Sequence, residues 1–182
     1  MSYSVYPATT AESKGPLDIT WTNIGYNSGN GLNTYTFSGL TGYKYLKFKV
    51  AGSGNNLNNG SYRITFNSDT TNAYAWGNMF ISGSTNGSAR SGDSTASTYI
   101  AFGESNVGTG YLDGELNIIN ATSTAHKHFD GKVSYFDGSA NRFIDIFGTY
   151  RSTSPISSIT LRTTAGTFQN TSPYGFYVYG GN

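Results

Sequence analysis

The 182-residue chain has no cysteine, so disulfides, thiolate metal sites and thiol chemistry are excluded. Charge is scarce as well: Asp, Glu, Lys and Arg make up 12% of the residues, about half the usual share. Eleven basic against ten acidic residues leave a net charge of +1, which gives no electrostatic reason to expect nucleic acid or an anionic membrane as partner. No apolar run approaches the roughly 20 residues needed to span a bilayer. The opening Met1-Ser2-Tyr3-Ser4-Val5-Tyr6-Pro7 has neither a basic n-region nor an apolar h-region, so neither a secretion signal nor membrane insertion is expected. Strong helix formers are thin throughout.

Gly, Ser, Thr and Asn fill the places that Lys and Glu normally take. Only 36% of the chain is hydrophobic, yet 15% is Phe, Trp or Tyr, so an unusual share of the buried area must come from rings. Thr, Tyr, Phe, Ile and Gly recurring every few residues favour short strands joined by tight turns. The N-x-S/T sequons at Asn59, Asn86, Asn120 and Asn170 fall within what such a composition produces by chance.

Period-two alternation marks the strands. Over 43–50, Leu46, Phe48 and Val50 share one face and Tyr45, Lys47 and Lys49 the other. Over 61–67, Tyr62, Ile64 and Phe66 point inward and Arg63 and Thr65 outward. Further strands are expected over 17–24, 34–37, 73–81, 97–102, 115–120, 132–136, 142–150, 156–163 and 176–179. The pairs Asn59-Gly60, Asp113-Gly114, Asp130-Gly131 and Asp137-Gly138 read as tight turns, and 51–60 as a loop. The stretch 83–98, nearly all Ser, Gly, Thr, Asn and Ala, reads as an exposed loop and a candidate contact region. These signals predict an all-β fold: an antiparallel two-sheet sandwich, jelly-roll-like, over 17–182, preceded by an extended N-terminal arm at 1–16.

One run stands out. Phe66-Asn67-Ser68-Asp69-Thr70, ending in Tyr74, follows a strand; upstream lies Tyr43-Lys44-Tyr45-Leu46. Toward the C-terminus come Ile156-Ser157-Ser158-Ile159-Thr160-Leu161, Gly166-Thr167-Phe168 and Tyr177-Val178-Tyr179-Gly180. In this order the pieces resemble small β-sandwich virion structural proteins of tailed bacteriophages, found as head decoration proteins, head fibres and tail-fibre tips. The resemblance covers roughly residues 40 to 180. One departure is Thr171-Ser172-Pro173, where the family often has Gly-Ser, so a slightly longer path into the last strand is expected. Asn67 and Asp69 suit a strand-to-turn exit, where short polar side chains bond nearby backbone N–H groups, so the motif reads first as fold.

Catalytic constellations are poorly served. His126 and His128 would point to one side of a strand, but Asp130 is the only acidic neighbour and a closed metal site needs more ligands. Asp113 and Glu115 have the spacing of a glycosidase pair, about 7 Å on one strand face, yet read as solvated residues flanking a turn. There is no G-x-S-x-G elbow. No catalytic residue, metal or cofactor is therefore expected.

The rings leave two readings of function open. The resemblance implies a virion protein, a capsid decoration or head-fibre component on the particle surface, made in the bacterial cytoplasm. It would act by homo-oligomeric assembly, as a trimer, with other virion proteins and by adhesion. The alternative is a stand-alone carbohydrate-binding module or lectin, including a receptor-binding tail-fibre tip, with Trp21, Trp76 and some of the tyrosines facing a cell-surface glycan.

Overall fold

A computed structural model describes residues 19–28, 30–55, 60–82, 85–87, 97–105, 112–136, 140–169 and 175–182, with side chains for all of these but 53–55, 82, 85–87, 104 and 105. The expected arm at 1–16 lies outside the described residues, among which there is no helix. Their strands are β1 (Thr22–Asn27), β2 (Thr34–Ser38), β3 (Tyr45–Asn55), β4 (Gly60–Phe66), β5 (Tyr74–Ser82), β6 (Thr85–Gly87), β7 (Ile100–Ser105), β8 (Leu112–Ile119), β9 (Lys127–Phe136), β10 (Asn141–Tyr150), β11 (Ser158–Thr163), β12 (Phe168–Gln169) and β13 (Gly175–Gly181).

Two antiparallel sheets result. The larger runs β1-β13-β3-β8-β9-β10-β5-β6, with β12 added beside β3; the smaller runs β2-β11-β4-β7. Only the β5-β6, β8-β9 and β9-β10 neighbours are consecutive in sequence, so most of the chain crosses from one sheet to the other between strands. Each crossing carries inward side chains from both sheets into one interior, and the fold is a β-sandwich.

The interior is built of rings. Phe48, Tyr62, Phe66, Tyr74, Phe102, Phe129, Tyr150, Phe168 and Phe176 are all fully buried. Phe48 meets Phe102 edge-on at 5.9 Å and lies over Phe176 at 6.4 Å; Phe176 in turn takes the edge of Phe168 at 4.8 Å. At the other end, Tyr74 stacks on Tyr150 at 5.0 Å, and Phe66 meets Tyr150 edge-on at 5.3 Å. Such pairs add about 0.5–1.5 kcal/mol each beyond the area they bury. The predicted alternation in β3 and β4 holds: Leu46, Phe48 and Val50, and Tyr62, Ile64 and Phe66, are all turned inward.

Three sequence expectations need correction. Asp113-Gly114 and Asp130-Gly131 are not turns. They lie inside β8 and β9, where Gly114 pairs with Val133 and Gly131 with Leu116. A Cβ on Gly114 would come within 2.8 Å of the Lys132 carbonyl oxygen, and one on Gly131 would strike the Glu115 carbonyl oxygen, so close strand approach, not chain reversal, requires these glycines. The strands consequently begin earlier than expected, at Leu112 and Lys127. Second, the stretch 83–98 is not wholly loop: Thr85–Gly87 returns along β5 from Ser82 to Phe80, and Ser97 bridges Tyr74. Third, the expected 51–60 loop gives way at once to strand, since β3 continues to Asn55 and pairs there with β12. The pair Asp137-Gly138 falls outside the described residues.

Candidate functional site

The run that carries the resemblance forms a lock between the sheets. Backbone torsion turns sharply where β4 ends, with Asn67 and Ser68 both at φ 55°, a left-handed conformation Asn tolerates better than most residues. Asn67 does not bond locally. Its Oδ1 accepts from the backbone N–H of Ser157 at 2.7 Å, from that of Ser158 at 3.2 Å and from the Ser157 hydroxyl at 3.0 Å. Its Nδ2 donates to the Pro155 carbonyl at 2.9 Å. Asp69 does make the expected local bond: Oδ1 accepts from the Thr71 backbone N–H at 2.8 Å and from its hydroxyl at 2.6 Å. Its other oxygen accepts from the Tyr150 hydroxyl at 3.0 Å, tying the turn to β10.

Tyr74 closes the loop on itself. Its hydroxyl accepts from the Phe66 N–H at 2.8 Å and donates toward the Asp69 carbonyl at 3.1 Å. Burial pushes this phenol far above its ordinary value, with the Phe66 amide acting the other way; burial likewise raises Tyr150. Burial by itself would raise the Asp69 carboxyl, but the bonds from Thr71 and Tyr150 outweigh it and hold the group below its ordinary 3.8. A carboxylate held ionised by hydrogen bonds thus stands against phenols held neutral.

The remaining motif residues are also fold residues. Ile159 and Leu161 point into the core from β11. Gly166 adopts a positive φ of 68°, and Phe168 is buried and stacks on Tyr62 at 5.8 Å. Gly180 leaves room for the Tyr43 ring, and Tyr179 lies on the outer face of β13. Thr70 is exposed in the turn. The final strand pairs with β3 in unbroken register and with β1 across a bulge between Asn23 and Gly25.

Beside the lock lies a residue that the sequence did not flag. Lys127, at the start of β9 opposite Tyr150, is fully buried and donates to the Ser152 carbonyl at 2.9 Å. Burial lowers its ammonium below the ordinary value.

The histidines stand apart from the two carboxylates. His128 is on β9 and His126 just before it, both exposed. Among the described residues, no three His, Asp or Glu side chains converge as a metal site requires. Asp113 and Glu115 do not flank a turn but share the outer face of β8. They line an open depression of roughly 290 Å³ together with Lys49, Lys132 and Phe143. Asp113 accepts from the Gly52 N–H at 2.7 Å, anchoring the bulge in β3, and Glu115 lies 3.9 Å from Lys47. Trp76, a candidate sugar platform, is buried with its Nε1 donating to the Tyr99 carbonyl at 2.7 Å.

Rings and apolar side chains also stand outward on the far side of the large sheet. Along one edge Tyr26 and Tyr177 pack at 4.8 Å, Tyr177 stacks on Tyr179 at 6.4 Å, and the Lys47 ammonium sits 4.9 Å above the Trp21 ring. Along the other edge Met79, Ile81, Phe143 and Phe147 are 53%, 47%, 39% and 52% exposed. Comparison of the chain with protein-family models, with curated proteins and with solved structures finds no match.

Proposed function

We propose that the chain is a structural component of a tailed-phage virion, a capsid decoration or head-fibre protein on the particle surface. It works without catalysis, by assembling with copies of itself and with other virion proteins and by adhesion. The observation that carries this reading is the outward apolar edge of the large sheet, Met79, Ile81, Phe143 and Phe147. Contiguous apolar surface of this kind marks protein contact sites in soluble domains. The ordered motif pieces from Tyr43 to Gly180 supply the link to virion proteins by resemblance.

A second reading is favoured by the opposite edge. Trp21, Tyr26, Tyr177 and Tyr179 form a ridge of rings beside Lys47, the kind of surface that packs against the C–H faces of a sugar. On that reading the chain is a glycan-binding module or receptor-binding tip.

Size-exclusion chromatography with light scattering on the isolated chain separates them. A homo-oligomer at micromolar concentration supports the assembly reading, and its mass distinguishes the trimer implied by the resemblance from a dimer. A monomer that binds a glycan array, with binding lost in Tyr177→Ala, supports the second reading and contradicts the first.

A further inference from the structure

The outer face of the large sheet carries its side chains in rows that cross the strands. One row, read from the registers, is Tyr177 on β13, Lys49 on β3, Glu115 on β8, Lys132 on β9, Asp145 on β10 and Met79 on β5. The four central positions alternate in sign. The eight-strand path has its midpoint between β8 and β9, so the row is divided there into two halves. Read from the two ends inward, the halves are complementary at every step: ring against thioether, cation against anion, anion against cation.

We propose that this face pairs with the same face of a second copy, about a twofold axis running parallel to the strands between β8 and β9. A rotation of this kind keeps each row at its own height and reverses its order. Lys49 then faces Asp145 of the second copy, Glu115 faces its Lys132, and Tyr177 faces its Met79. Every contact occurs twice, as an isologous interface demands. The neighbouring row behaves in the same way. It reads Tyr179, Lys47, Asn117, Asp130, Phe147 and Gly77, so reversal sets the Tyr179 ring over Gly77, the Lys47 ammonium over the Phe147 ring and Asn117 against Asp130.

Charge also rejects the other way of laying the two faces together. A twofold axis perpendicular to the strands and midway between these rows sets β3 on β3, with Lys47 of each copy against Lys49 of the other, and like charges so placed repel. The size is adequate. Six strands about 4.8 Å apart and four residue rows about 6.8 Å apart cover about 800 Å² per copy, the standard for a stable interface. Nearly parallel strands in the two faces match the aligned class of sheet packing. The pairing rests on the self-assembly reading, and it replaces the trimer that the resemblance implies with a dimer.

Sedimentation velocity on the full chain tests it through a charge swap. Lys49→Glu sets a carboxylate against Asp145 of the second copy, and Asp145→Lys sets an ammonium against its Lys49; each single variant is expected to weaken the dimer about tenfold or more. The double variant is expected to regain most of the wild-type affinity. Within one chain, both substitutions create like-charge neighbours, with Glu115 and with Lys132, and these persist in the double variant. Recovery therefore reports pairing across the interface alone. Met79→Glu, at an exposed edge position, is expected to abolish the dimer while the far-ultraviolet circular dichroism stays unchanged and the melting temperature matches that of the wild type diluted to monomer.

A wild-type oligomer that ignores these substitutions, or a double variant weaker than either single one, overturns the twofold pairing and leaves self-assembly standing. A wild-type monomer at every concentration overturns both.

Discussion

The Tyr150 hydroxyl donates to the Asp69 carboxylate at 3.0 Å, joining residues 81 apart in sequence and linking the exit of β4 to the end of β10. The bond sits where the two sheets meet, beside the stacked Tyr74 and Tyr150 rings. Removing the acceptor deletes three hydrogen bonds to a carboxylate, from the Tyr150 hydroxyl and from the Thr71 amide and hydroxyl. Asp69→Ala is expected to lower the unfolding free energy by about 3 kcal/mol, and Asp69→Asn by about half that, measured by urea denaturation at neutral pH.

The same carboxylate sets an acid limb. Its folded value lies below the ordinary 3.8, so the unfolded chain binds the proton more readily. The stabilisation is complete above about 3.8 and is lost as pH falls from there through the folded value. Asp69→Asn is expected to flatten the fall in stability over that window, and an unchanged acid limb would remove Asp69 from the account.

Alkali acts through the phenols. Burial raises Tyr74 and Tyr150 above their ordinary 10.0, so between that value and the folded ones the unfolded state releases protons that the folded state keeps. Stability is therefore held below pH 10 and falls as pH rises beyond it. Tyr74→Phe is expected to cost about 1–3 kcal/mol at neutral pH through the lost Phe66 and Asp69 bonds, while making the alkaline fall shallower, read by tyrosine absorbance alongside urea midpoints.

Asn67 is doubly constrained, by its positive φ and by its bonds to the 155–158 segment. Asn67→Gly keeps the torsion and loses the bonds; Asn67→Ala loses both. The alanine variant is expected to be the less stable of the two by about 1 kcal/mol in the same denaturation assay.

Lys127 is costly to bury. Its lowered ammonium value means that stability rises as pH climbs from the folded value toward the ordinary 10.5, because the unfolded chain holds its proton longer. Lys127→Met keeps the buried stem and removes the charge, so it is expected to be neutral or stabilising at pH 7 and to erase that rise. Lys127→Ala, which also empties the stem's space, is expected to destabilise by about 2 kcal/mol or more in thermal melts.

The strands were legible because period two survives in β3 and β4, where Leu46, Phe48 and Val50 alternate with Tyr45, Lys47 and Lys49. Asp-Gly misled because turn propensity is local, whereas the need for Gly131 arises from the Glu115 carbonyl on a neighbouring strand. Asn67 read as polar and turn-forming, yet its partners lie 90 residues onward and no spacing reveals them. The outward edge was hidden for a related reason. In β5, Trp76 and Phe80 alternate with Met79 and Ile81, so both faces are apolar and the pattern does not say which one meets solvent.

Hydroxyl-radical footprinting at dilute and at concentrated protein tests most directly whether the chain works through that outer face. Met79, Phe147 and Tyr177 are expected to be oxidised in dilute solution and protected as concentration rises, while Leu32, which is 48% exposed and off that face, reacts equally in both. Equal oxidation of Met79 and Phe147 at every concentration would contradict the account.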